Sequence, residues 1–336
     1  MYAKILHYLI FFLFFLGSPT IFAGDQTFPG DNAPIIRWKS QIALRSDVIK
    51  KPSLFSRLKN LLTGSPQQIF IRPSSLIKDS MNNLWITDPG DHCIVKINQQ
   101  VGEITHLRPS APLRLPSPIG IAQGPDNQIY ITDSATGQIL ILDSGALSFQ
   151  LFNDTLQLVR PTGIAYSNKN KQIWVVETGK HRIAIFNTHG RLIRYLGQRG
   201  NGPGEFNFPT FIHIDQNGTV YVVDSMNFRV QLFKSSGEWI TMFGSIGDAT
   251  GYFARPKGIA TDSYGHIYVV DALFNAIQLF NKEGDFLFYF GEPGRDAGQF
   301  WLPLGIYIDS EDLIYIADSY NGRIQIFEFL QGGSHE

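Results

Sequence analysis

Three histidines offer the most obvious chemistry in this chain. His92 and His181 each stand four residues after an acidic residue, Asp88 and Glu177, and His213 lies two residues before Asp215. Neutral imidazoles converging from separate elements can hold zinc while leaving one position open for water. These three are therefore the candidate ligands for a metal-dependent lyase or hydrolase. The helical His-Glu-x-x-His arrangement of zinc hydrolases is absent, so the competing reading places His92 and His181 in solvated loops and His213 in a satisfied interior position. His266 falls in a hairpin and has no special claim.

Carboxylates form two further series. Glu177, Asp224 and Asp318 are each followed five residues later by an arginine: Arg182, Arg229 and Arg323. Such regular spacing argues for an internal buttress rather than a site. Asp79, Asp215, Asp262 and Asp309 could surround calcium, but each is placed to accept backbone N–H groups in a turn. There is no Gly-x-Ser-x-Gly nucleophile elbow and no Cys-x-x-Cys-His haem attachment. The run Gly200-Asn201-Gly202-Pro203-Gly204 leads through Phe206 and Phe208 to Pro209 and a strand. A phosphate loop would need a helix N-terminus there. We accordingly assign no catalytic residue and expect no cofactor.

The elements that carry these residues repeat. An apolar run closing on an acid occurs at Trp85–Asp88, Tyr130–Asp133, Trp174–Glu177, Tyr221–Asp224, Tyr268–Asp271 and Tyr315–Asp318, and successive acids are 44 to 47 residues apart. A proline opens each unit (Pro73, Pro118, Pro161, Pro209, Pro256, Pro303), four times in the form Pro-x-Gly-Ile. Each unit holds four short runs of β-branched and aromatic residues bounded by Gly, Asn or Asp, which are strands. Nearly continuous apolar runs suit sheets packed on both faces. Four-stranded repeats of this length predict an all-β fold, a six-bladed β-propeller of four-stranded antiparallel blades. The linkers Gly197–Phe206, Gly244–Phe253 and Gly291–Phe300 return the chain from the outer edge to the axis, with the phenylalanine as anchor. The sixth unit shows only three strands, so Ile35 to Leu44 is expected to supply the fourth, close the ring and cover the open edge.

With these pieces in hand, the chain resembles NHL-repeat proteins, in particular bacterial exported six-bladed propellers. The matching residues are Pro256-Lys257-Gly258-Ile259-Ala260, the Asp-x-x-Gly turn, Tyr268-Val269-Val270-Asp271, Asn227-x-Arg229-Val230-Gln231-x-Phe233 and Asn321-x-Arg323-Ile324-Gln325-x-Phe327. The likeness runs from Pro73 to Phe327. Blades one to three depart from it, with Ser75 for glycine, Gly137-Gln138 for Asn-x-Arg and Glu177 for aspartate. Amidating lyases and sugar lactonases share this propeller, and they supply the enzymatic alternative. The resemblance also implies partners among extracytoplasmic redox proteins such as multihaem cytochromes.

Composition sets the remaining bounds. The chain has 336 residues, 43% hydrophobic and 17% charged, and a formal net charge of -1 without a long basic run. That excludes the electrostatic footprint of nucleic-acid binding. Lys4 followed by an apolar run from Ile5 to Leu16 and the small residues up to Ala23 reads as a signal peptide, too short for a bilayer-spanning helix of ~20 residues. Export to the periplasm or medium follows as an expectation. A single cysteine, Cys93, precludes an internal disulfide. The expected layout is a signal peptide over 1–23, a closing strand and short helix (Ser53 to Leu62) within 24–72, the propeller over 73–330 and a tail over 331–336.

Loops on a rigid scaffold commonly carry function. Those entering the inner strands bring Arg72, Arg160, Arg255 and Lys257; those following the second strands bring His92, His181, Phe228, Phe274 and Tyr320. Arginine and aromatic side chains dominate protein contact sites. This rim, together with the central channel, is the expected binding surface of a monomeric, non-catalytic scaffold whose partner is a protein or an extended polymer of the cell envelope.

Overall fold

The computed structural model describes residues 27–28, 35–48, 67–153 and 155–330. The signal segment, the helix expected over Ser53 to Leu62 and the tail lie outside the described residues. Among the described residues no helix is long and apolar enough to cross a membrane.

The described residues form six antiparallel blades, each laid out from the axis outward in chain order. Blade 1 comprises Ser75–Lys78, Asn83–Asp88, Cys93–Asn98 and Glu103–Leu107. Blade 2 comprises Pro118–Gln123, Gln128–Asp133, Gln138–Asp143 and Phe149–Leu151. Blade 3 comprises Pro161–Ser167, Gln172–Glu177, Arg182–Asn187 and Leu192–Leu196. Blade 4 comprises Pro209–Ile214, Val220–Asp224, Arg229–Phe233 and Trp239–Phe243. Blade 5 comprises Pro256–Thr261, Ile267–Asp271, Ala276–Phe280 and Phe286–Phe290. Blade 6 comprises Ile306–Ile308, Leu313–Asp318 and Arg323–Leu330.

Ile35–Ile42 supplies the outer strand of blade 6, as expected, pairing antiparallel with Arg323–Leu330 from Ile35↔Leu330 to Ile42↔Ile324. The two-residue strand Thr27–Phe28 adds a fifth member beyond it. Joining the first and last parts of the chain in one sheet closes the ring and covers the outer edge of Arg323–Leu330.

The core lies between blades. Trp174, Val176 and Ile185 of blade 3 pack on Phe206, Val220, Val222 and Phe233 of the blade 4 repeat. The second strands of blades 1, 4 and 5 are buried along their whole length, and those of blades 2, 3 and 6 at every residue but the first, which is why they read as continuous apolar runs. The anchors Phe206, Phe253 and Phe300 are fully buried. Each such side chain contributes roughly 2–3 kcal/mol by leaving water. The turn aspartates also behave as the spacing implies: Asp79 accepts the Met81 and Asn83 N–H groups, and Asp262 those of Tyr264 and His266.

Candidate binding site at the channel mouth

The six acids that close the second strands fasten the linkers that enter the same blades. Asp88 accepts the N–H groups of Ile71 and Arg72, Asp133 that of Ser117, Glu177 that of Val159, Asp224 that of Asn207, Asp271 those of Ala254 and Arg255, and Asp318 that of Trp301. Three of them also hold the arginine five residues on, with Nε–O distances of 2.6 Å for Arg182–Glu177, 2.9 Å for Arg229–Asp224 and 2.7 Å for Arg323–Asp318. These carboxylates and arginines are therefore committed to the frame.

Four residues beyond each acid the backbone turns left-handed. His92, Gly137, His181, Phe228, Asn275 and Gly322 have φ between 52° and 72°. His and Asn tolerate this region better than most side chains, and here they also tie one blade to the next. His92 Nδ1 lies 2.6 Å from the Pro116 carbonyl oxygen, the Phe208 N–H donates to His181 Nδ1 at 3.1 Å, and the Leu302 N–H donates to Asn275 Oδ1 at 2.7 Å. Burial, then the nearby Arg199, lowers the His181 pKa, which keeps the ring neutral and able to accept. His213 sits apart on the inner strand of blade 4, its Nε2 2.9 Å from Thr261 Oγ1 in blade 5, and burial pushes its pKa down to about 4. The three histidines are thus not gathered into one centre. Among the described residues no three His, Cys, Asp or Glu side chains are grouped so as to hold a metal ion.

What the mouth of the channel does assemble is a basin of ≈ 540 Å³. The residue after each opening proline contributes to it: Ser74, Ile119, Thr162, Thr210, Lys257 and Leu304, joined by Ser117, Ser134, Thr178 and Arg160. The hydroxyls of Ser74, Ser117, Ser134, Thr162, Thr178 and Thr210 belong to its wall, and further hydroxyls bond the blades behind it. Thr87 donates to the Ile119 carbonyl, Thr132 to Thr162, Thr178 to Pro209 and Ser225 to Pro256, so consecutive blades are stitched around the axis. A second space of ≈ 270 Å³ lies deeper in the channel among the inner strands, beside Lys78, Tyr166, His213 and Tyr307. There Lys78 is neutralised by Asp309 at 2.8 Å.

Charge separates the two spaces. Among the described residues Arg72, Arg160, Arg255 and Lys257 make no ion pair. Lys257 is pushed down to about 8, by burial first and then by the positive charges of Arg255 and Arg160. The two arginines thus disfavour the charged form of Lys257, and the Asp271 carboxylate acts in the opposite direction more weakly. The aromatic rim residues are dispersed instead. Phe228 packs against the core between blades 4 and 5, Tyr320 lies 5.8 Å from the Trp301 ring, and Phe274 lines a separate cavity on blade 5. Arg72 and Arg255 are exposed on the linkers, His92 is exposed in the turn after the second strand, and His181 is buried against Phe208. The hydroxyl ring was absent from the sequence-based site. Its signal was the polar residue recurring after the opening proline in blades 1, 3 and 4.

Comparison with known proteins bears on the fold. The family model for the NHL repeat matches residues 300–327, and a model described as a 6-bladed beta-propeller matches residues 153–242. No curated protein is similar in sequence. Among solved structures, virginiamycin B lyase from Staphylococcus aureus superposes with a TM-score of 0.58 at 18% identity, covering 77% of this chain and 95% of its own. An auxiliary nutrient binding protein from Bacteroides thetaiotaomicron gives a TM-score of 0.62 at 15% identity, covering 78% and 70%. Kuenenia stuttgartiensis hydrazine synthase gives 0.54 at 12% identity, covering 76% and 95%. At these identities the likeness concerns architecture, which hosts enzymes and binding proteins alike.

Proposed function

Taking the chain as a six-bladed β-propeller carrying NHL repeats, we propose that it is an exported, non-catalytic binding protein that holds an acidic partner at the mouth of its central channel. The observation that supports this reading is the pair Lys257 and Arg160 in the lining of an open, hydroxyl-walled basin that has no carboxylate in its wall. Arg255 is nearby, and the charge of Asp271, which accepts the Ala254 and Arg255 N–H groups, only partly offsets theirs at Lys257. An arriving carboxylate offsets the repulsion that Lys257 feels from the arginines and forms charge-assisted hydrogen bonds. The partner is a protein or extended polymer of the periplasm or medium that presents such a group. A rigid ring of blades suits this role, because little ordering is needed on binding.

Titration of the chain with a hexaglutamate peptide by calorimetry tests the reading. Binding is expected at pH 7, weakened at least about tenfold by Lys257→Ala combined with Arg160→Ala. It also weakens as pH rises through 8, where Lys257 loses its proton, and this loss is missing in Lys257→Ala. Absence of binding, or affinity indifferent to both substitutions, rejects the proposal.

A further inference from the structure

Blade 5 departs from its neighbours in a way that leaves a cavity. Where blades 4 and 6 read Asn227-Phe228-Arg229 and Asn321-Gly322-Arg323, blade 5 reads Phe274-Asn275-Ala276. In blade 4 the Arg229 guanidinium fills the space between the third strand and the incoming linker. Its Nε meets Asp224 at 2.9 Å, and its terminal nitrogens donate to the carbonyls of Asn201, Gly202 and Glu205 at 2.7, 2.9 and 2.9 Å. Arg323 repeats this on Asp318 and on the carbonyls of Arg295, Asp296 and Gln299.

The cradle persists in blade 5 although the arginine does not. Gln278 holds the Gly251 N–H and the Tyr252 carbonyl, as Gln231 holds Gly204 and Glu205, and as Gln325 holds Gly298 and Gln299. The linker therefore runs where it runs in the other two blades. Asp271 stands in register opposite Ala276 and has no ion pair among the described residues. The vacated space is a cavity of ≈ 280 Å³ walled by Ala276, Phe274, Asp248, Ala249, Tyr289 and Glu292, with no lysine or arginine in its lining.

Blade 3 shows what the outer strand adds. Tyr195 pairs with Ala184, and the Arg182 guanidinium lies 3.4 Å from the centre of its ring. Tyr289 occupies the same register opposite Gln278, 52% exposed. Blade 5 thus combines the carbonyl cradle of blades 4 and 6 with the aromatic face of blade 3, plus Asp248 and Glu292 at its wall. We propose that this cavity binds an arginine side chain presented by a partner polypeptide, its guanidinium taking the place that Arg229 and Arg323 occupy in their own blades. A planar fork reaching several carbonyls while stacked on a ring suits arginine and not lysine. The site is independent of the channel mouth.

The test uses the full chain and two blocked peptides, acetyl-Gly-Arg-Gly-amide and its citrulline counterpart, which has the same shape without the charge. Titration followed by NMR should show the arginine peptide binding and the citrulline peptide failing to bind. Ala276→Arg, which writes the blade 4 sequence into blade 5, fills the cavity from within and abolishes binding. Tyr289→Ala, an exposed substitution that leaves the fold alone, weakens binding about three- to tenfold. Equal binding of both peptides, undiminished binding in a folded Ala276→Arg, or unchanged affinity in Tyr289→Ala overturns the proposal.

Discussion

The Gly258 amide donates to the Leu304 carbonyl at 2.8 Å across the seam between blades 5 and 6, and a β-carbon on Gly258 would stand 2.5 Å from that same oxygen. Glycine at this point of Pro-x-Gly-Ile is what lets inner strands approach so closely. Gly120 meets the Thr162 carbonyl and Gly305 that of Ser74 in the same manner, at 2.2 and 2.4 Å for an added β-carbon. Gly258→Ala is expected to cost about 3 kcal/mol, because backbone cannot yield as a side chain can. Gly265→Ala, at φ +85° with nothing within 4 Å, is expected to cost only about 1 kcal/mol. Urea unfolding of the two variants compares them. Equal losses would show that the seam is looser than the geometry implies.

Breaking the buttress should be more damaging where it is more deeply buried. The Arg229 and Asp224 side chains are 7% and 0% exposed, whereas Arg182 of blade 3 is 29% exposed. Arg229→Ala takes the cation from a buried carboxylate and removes one donor from each of the Asn201, Gly202 and Glu205 carbonyls, a loss of about 3–5 kcal/mol. Arg182→Ala, whose site water can enter, is expected to lose about 1–2 kcal/mol. Calorimetric melting of the two variants ranks them, and the reverse order would contradict the assignment of Arg229 as a structural tie.

The frame was legible because one pattern recurs in phase: an opening proline, an apolar run ending in an acid, and a glycine-bounded linker. Each leaves a mark in residue type that survives without neighbours. The site was harder to read. Arg160 and Lys257 were nominated because both flank an opening proline, whereas Phe228 and Phe274, nominated from the loops after the second strands, turn to inter-blade packing and to another cavity. Linear spacing fixes which loop a side chain lies on and not which way the loop presents it. His92 and His181 looked like ligands because their spacing from an acid matched; that spacing reflects a left-handed turn filled by Gly137, Phe228, Asn275 and Gly322 elsewhere. The blade 5 cavity needs Ala276, Tyr289 and the linker at Asp248 brought side by side, which only the register of strands supplies.

Acid should weaken the fold through His213. Its pKa falls from the ordinary 6.5 to about 4 because burial disfavours the charged ring. The unfolded chain therefore takes up a proton below pH 6.5 that the folded chain refuses. Stability from this group is complete above that pH and declines as pH falls toward 4, by about 1–3 kcal/mol. His213→Gln can keep a hydrogen bond to Thr261 without titrating. Urea midpoints measured at pH 7 and pH 4.5 should fall further in the parent chain than in His213→Gln. Parallel declines would mean that other groups carry the acid sensitivity.

The closing strand makes a demand on the whole ring. Ile36 is fully buried in the cluster between blades 5 and 6, Trp38 Nε1 donates to Gln325 Oε1 at 3.0 Å, and Arg323 donates to Gln41 at 2.8 Å. Gln325 and Arg323 are also the residues that hold the linker into blade 6, so the strand from Ile35 to Ile42 supports the buttress as well as the edge. Removing residues 1–43 uncovers Arg323–Leu330 as an exposed apolar edge, open to pairing with another chain. The melting temperature should drop by roughly 10 °C or more, and light scattering should reveal association. A peptide spanning residues 35–42, added in excess, competes for the same edge and should shift the truncated protein back toward monomer. A truncated chain that stays monomeric and melts with the parent would mean that the ring closes without this strand.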